Sequence, residues 1–102
     1  MVNTVQTTKY PLTQGLVKKA RLLDIAGDQT RIRILCFMFD NNQACVSEIA
    51  EAVGASIGSV SHHLQLMRDN GLFSTVRDGN NICYILTQND FTKQLKKIIC
   101  QK

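Results

Sequence analysis

Four cysteines and two histidines are the residues of this 102-residue chain suited to thiol, metal or proton chemistry near neutral pH. Cys36, Cys45, Cys83 and Cys100 are separated by 9, 38 and 17 positions, with no CxxC pair. Zinc-finger and zinc-ribbon spacing is therefore absent. A soft-metal site would have to be noncontiguous, gathered from Cys36, Cys45 and Cys100, because one thiolate does not hold such a metal alone. His62 and His63 stand with no cysteine or serine in a recognisable catalytic arrangement, and neither a phosphate-cradling glycine loop nor paired acids occur. The chain reads as a non-enzyme without a cofactor.

A second set of residues suits hydrogen bonding to base edges. Ser56, Ser59, Ser61, His62 and Gln65 fall within one helical stretch that is almost free of charge on its outward side. A helix that is merely solvated normally carries Glu and Lys pairs, whereas short polar side chains let a backbone approach closely and both donate and accept. Ile57 and Gly58 lie in its first turn, where Ile57 either meets a thymine methyl or joins the core. Twelve or more residues on, Arg77, Asn80 and Asn81 bracket a turn that can reach a minor groove or phosphates. His63, beside Leu64, reads as a packed and hydrogen-bonded histidine, and His62 as the outward reader.

The elements that must hold these groups follow from periodicity and caps. Residues 1–12 are polar and Thr-rich and contain the one proline, Pro11, which predicts a loose arm; residues 13–102 form one domain. Thr13 caps a helix to about Ile25 with Leu16, Ala20, Leu22 and Leu23 as its apolar positions. Asp28 caps the next, with Ile32, Leu35, Cys36 and Phe39 on one face. Asp40-Asn41-Asn42-Gln43 is a turn, Ser47 caps a short helix over 47–53, and Gly54 ends it. Ser56 starts a helix to about Asn70 with Ile57, Val60, Leu64 and Met67 inward. Leu72 to Arg77 and Ile82 to Leu86 alternate as strands about the turn Asp78-Gly79-Asn80-Asn81. An amphipathic helix from about Asn89 to Cys100 closes the chain. Two short helices, a glycine turn and a hairpin are the pattern of a winged helix-turn-helix, in the order α-α-α-α-β-β-α, mainly α with a β-hairpin wing.

Composition agrees with a soluble domain: 44% hydrophobic and 20% charged residues. The longest apolar run, Ile34 to Phe39, falls far short of the roughly 20 residues that span a bilayer. No signal peptide is legible, so the expected location is cytoplasmic, where thiols stay reduced and structural disulfides are not expected. Cys45 and Cys83 then read as packing residues. The formal charge of +4 is uneven. Six cations oppose two acids over residues 1–33, two oppose six over 34–92, and four lysines stand unopposed in the last ten. Salt-dependent affinity for a polyanion would come from the flanks, through Lys18, Lys19 and Arg31, and from the wing's Arg77. A winged helix that serves as a protein-interaction module is the alternative from a different class.

The segments Gly27 to Leu35 (GDQTRIRIL), Val60-Ser61-His62-His63-Leu64, Asn70-Gly71-Leu72 and Tyr84-Ile85-Leu86 resemble the ArsR/SmtB winged-helix repressors over residues 15–100. The resemblance implies a homodimer built on the first and last helices, binding double-stranded DNA at a palindromic operator and leaving it when an inducer binds. It maps groove-facing positions to Ile57, Gly58, Ser61 and His62; Gln and Ser are common at the first two, so Ile57 and Gly58 depart from the pattern. The metal-sensing members need Asp, His, His and Glu or His on the last helix, where this chain has Asp90 and no histidine. They need paired cysteines in the third, where it has Ala44-Cys45-Val46-Ser47. Placement of Cys36 and Cys100 resembles the BigR/SqrR/HlyU branch, which senses persulfides. That resemblance implies a dithiol switch at Cys36 and Cys100, with Lys96, Lys97 and Arg33 available to lower a thiol pKa. Arsenite or a soft metal remains the alternative inducer.

Overall fold

Local capping decides where the helices begin. In the computed structural model, which describes residues 9–100, the order is α1 (Gln14–Ala26), α2 (Gln29–Asn41), β1 (Gln43–Cys45), α3 (Val46–Val53), α4 (Ile57–Asp69), β2 (Phe73–Asp78), β3 (Asn81–Leu86) and α5 (Asp90–Cys100). Residues 1–8 of the expected arm lie outside the described residues. Thr13, Asp28 and Ser56 cap α1, α2 and α4, each side-chain oxygen accepting from the backbone N–H three residues on, at 3.0–3.1 Å. The Asp28 carboxyl is held below its usual range by the Arg31 backbone N–H it accepts from.

The expected element order stands with one addition. Asn42 takes a left-handed φ of 66° and turns the chain straight out of α2 into β1, a strand not anticipated between them. β1 pairs antiparallel with β3, giving a sheet of order β1-β3-β2 rather than a bare hairpin. In this register Cys45 lies opposite Cys83, and the two form a disulfide. The expectation of no structural disulfide and the reading of both as plain packing residues are thereby corrected: strand pairing sets their sulfurs side by side. The N-cap of α3 is Cys45, not Ser47, because the Cys45 backbone N–H donates to Glu48 Oε1 at 2.8 Å and the helix starts one residue early.

The core is built from Ile34, Leu35, Met38, Ile49, Leu64 and Leu72, all fully buried, with Tyr84 and Leu95 closing it. On α2 the buried face is Ile34, Leu35, Met38 and Phe39, and Ile32 and Cys36 are only half-buried. The helix is apolar on almost every side, so spacing alone does not choose its inner face. On α1 the core takes Leu22, Ile25 and Ala26, whereas Leu16, Ala20 and Leu23 stay exposed. α5 begins with a reciprocal cap: Thr92 N–H donates to Asn89 Oδ1 (2.9 Å) and Asn89 N–H donates to Thr92 Oγ1 (3.1 Å). The buried Thr92 hydroxyl donates on to Thr87 O at 2.6 Å. This anchored start sets where Cys100, at the other end of α5, arrives.

Candidate nucleic-acid interface and the two thiol pairs

The helix-turn-helix is α3, the left-handed Gly54 and α4. Val60, Leu64 and Met67 bury one face of α4 completely. Ile57 does not join them: it is 59% exposed, because the first turn of α4 overhangs the core instead of covering it. A Cβ placed on Gly58 would meet nothing within 4 Å, so packing does not demand glycine there. It leaves bare backbone open to a close approach. Ser59, His62 and Gln65 are exposed and Ser61 half-buried, with Gln65 Nε2 donating to Ser61 Oγ at 3.3 Å. The exposed Ser56 hydroxyl oxygen accepts the Ser59 backbone N–H as the cap of α4.

The wing turns at Gly79, φ 64°, and exposes Arg77, Asn80 and Asn81. A groove of about 270 Å³ runs between the two elements, lined by Ile57 and Ser61 of α4, Asn80 and Asn81 of the wing, Cys45 at the end of β1 and Ser47 of α3. Structure thus brings four of the ten expected DNA-facing residues to one groove, and adds Ser47. Sequence reads Ser47 as a cap, but with Cys45 at the N-cap Ser47 lies exposed in the first turn of α3.

Arg31 is not a free phosphate contact. Its Nε donates to Ile25 O at 2.8 Å and its Nη1 donates to His63 Nδ1 at 3.2 Å. An arginine is always the donor, so Nδ1 is the acceptor in this contact. His63 is half-buried, and the bond couples α2 to the recognition helix one residue from His62. Lys18 and Arg21 stay on the surface of α1.

Cys36 and Cys100 are both half-buried where α2 packs on α5, near enough for the Cys100 thiol to act on that of Cys36. Burial, then the neighbouring Cys100 thiol, pushes the Cys36 thiol up, with Asp40 adding to the effect. This reverses the expected lowering of a thiol pKa by Arg33, Lys96 and Lys97 as far as Cys36 is concerned. Cys100 also borders an open cavity flanked by Lys93, Lys96 and Lys97. The three-cysteine metal site is not assembled within one chain, since Cys45 is bonded to Cys83. Among the described residues no group of three His, Cys, Asp or Glu is gathered for a metal, and no helix is long and apolar enough to cross a membrane.

Residues 28–75 match the profile of a family described as bacterial regulatory protein, arsR family. The HTH-type transcriptional regulator YgaV of Escherichia coli (strain K12) is 31% identical over 84 residues, covering 79% of this chain and 85% of that protein. The transcriptional activator HlyU of Vibrio cholerae is 28% identical over 93 residues, covering 88% and 85%. Among solved structures, the AntR antimony-specific transcriptional repressor superposes with a TM-score of 0.75 at 26% identity, covering 92% of this chain and 86% of that one. The chain spans about half the length of the CadC cadmium resistance regulators it also matches.

Proposed function

The chain belongs to the arsR family of bacterial regulatory proteins, and on that premise we propose that it is a cytoplasmic homodimeric repressor whose operator binding is relieved when Cys36 and Cys100 become linked. The observation that carries this reading is the proximity of the two free thiols where α2 packs on α5. α4 enters the major groove with Ile57, Gly58, Ser61 and His62, and the wing reaches the flank with Arg77, Asn80 and Asn81. Exposed apolar residues on the first and last helices, Leu23 at 61% and Ile98 at 69%, support self-association there. A two-fold dimer pairs with a palindrome whose half-sites lie about one helical turn, ~34 Å, apart.

The inducer is a persulfide or a low-molecular-weight disulfide. Cys100 faces the lysine-flanked cavity and is the entering sulfur; Cys36, held protonated, is the resolving one. With a persulfide RSSH, Cys100 takes the terminal sulfur and releases RSH. Cys36 then displaces hydrogen sulfide to close a Cys36–Cys100 disulfide. The bond draws α2 against the end of α5. Because α2 also carries Arg31, the movement reaches α4 through His63.

A second reading, release by a trivalent metalloid held on the same two thiols, is favoured by the likeness to the antimony-specific AntR. The test is a DNA titration after exposure to persulfide, disulfide, arsenite, Cd²⁺ or Zn²⁺, with mass spectrometry of the released protein. Persulfide should release DNA and yield a Cys36–Cys100 crosslink. Release of Cys100→Ser protein by persulfide would overturn the switch, and release by arsenite alone would transfer it to the metalloid reading. A protein that shifts no DNA would be an interaction module instead.

A further inference from the structure

The bridge between Cys45 and Cys83 is chemically lopsided. Cys83 is 2% exposed inside β3, whereas Cys45 is half-buried and lines the groove between α4 and the wing, beside Ile57, Ser61, Asn80 and Asn81. An incoming thiolate must reach a sulfur along the line of the bond it breaks, so access decides which sulfur is attacked. Only the Cys45 side opens to the groove.

We infer that Cys45 is a reversible S-thiolation site for low-molecular-weight thiols, with the buried Cys83 as its resolving cysteine and the adduct seated in the DNA-facing groove. A thiol RSH attacks Sγ of Cys45. The Cys45–Cys83 bond breaks, a Cys45–S–S–R bond forms, and Cys83 leaves as a thiolate that takes up the proton released by RSH. No further oxidant is needed. The return step is attack of the Cys83 thiolate on Sγ of Cys45, which expels RS⁻ and restores the bridge. Cys83 is held opposite Cys45 by the strand register, so it stays in place for that return. A tripeptide thiol such as glutathione bonded to Cys45 occupies the groove that α4 and the wing line. Its extra carboxylate also repels phosphate. The adduct therefore blocks DNA directly, without any movement of α2 or α5. The consequence for DNA rests on the reading that α4 and the wing face the duplex; the Cys36 and Cys100 switch is not required.

The experiment uses the full chain carrying Cys36→Ser and Cys100→Ser, which leaves this bridge as its sole sulfur pair. A duplex recovered from a random pool with the wild-type protein serves as the DNA. Adding Cys83→Ser, or Cys83→Val if serine is not tolerated at the buried strand position, removes the resolving sulfur and traps the adduct. After oxidised glutathione, peptide mapping should find one glutathione on Cys45, DNA affinity should fall at least tenfold, and reductant should restore it. The matched Cys45→Ser variant should take up glutathione at Cys83 at least tenfold more slowly. Equal labelling of Cys83 and Cys45, or a trapped adduct binding DNA within twofold of the unmodified protein, would overturn the proposal. If the untreated protein binds no duplex, the DNA-binding reading fails, and the labelling ratio still decides the site by itself.

Discussion

The two cysteine pairs are held by different kinds of scaffold. Cys45 and Cys83 are cross-strand neighbours, placed by the backbone ladder of β1 and β3. Cys36 and Cys100 lie near each other only because two helices pack together, one contributing its middle and the other its last residue. A bond between residues that strand pairing already places side by side changes little geometry when it forms. A bond across a helix–helix contact must move one helix against the other, because only side-chain packing fixed their separation. The strand pair is thus suited to hold a shape and the helix pair to change one. Where the strand pair signals, it does so through what is attached to Cys45.

Removing each pair should give the most unequal result. Replacing Cys45 and Cys83 together by alanine opens a closed loop with a sequence separation of 38 and should cost about 3 kcal/mol in denaturant unfolding. Cys36→Ala, at a half-buried position with no bond to lose, should cost about 1 kcal/mol or less while abolishing inducer release. Equal losses would erase the distinction between holding and switching.

The next effect probes the link between the halves. Arg31→Ala removes the bonds to Ile25 O and His63 Nδ1 and should destabilise by about 2 kcal/mol, as expected for hydrogen bonds from a charged donor. In a Cys36–Cys100 crosslinked sample of this variant, DNA affinity should differ less from the reduced form than it does in wild type. An unchanged ratio would show that the helix pair acts by a route other than α2.

The smallest effect concerns the proton on Cys36. Its raised folded pKa means the folded chain keeps the proton after the unfolded chain has released it near the ordinary thiol value of 9.0. Stability from this group is complete below that pH and is lost as pH climbs through the folded pKa. Reduced wild type should therefore lose a little more stability above pH 9 than Cys36→Ala, read as a difference in urea midpoints. Iodoacetamide should modify Cys36 more slowly than free cysteine at neutral pH. Faster modification would make Cys36 the entering sulfur and invert the proposed order.

Much of the scaffold was legible because its signals are local. The caps at Thr13, Asp28 and Ser56 follow from one side chain and the next turn, and the wing turn follows from Gly79 and its asparagines. What escaped is nonlocal. β1 is three residues long, too short for alternation to register, and its partner lies some forty residues on. The Cys45–Cys83 bond was hidden with it, and so was the capping role of Cys45. Arg31 reads as a phosphate contact from its charge, and only the fold reveals that a carbonyl of α1 and a ring nitrogen of α4 turn it inward. Ile57 obeys the helical period of α4, but nothing in a period says where the core beneath the helix stops.

The Arg31–His63 bond also constrains how this protein can be rebuilt. A recognition helix grafted from another regulator to redirect the chain to a new promoter would arrive without this acceptor unless it carried histidine or another accepting side chain at position 63. The guanidinium would then be half-buried with one of its two acceptors gone. A chimera of this kind should be made in matched pairs, exchanging residues 31 and 63 as a unit, so that the borrowed reading head stays answerable to its host.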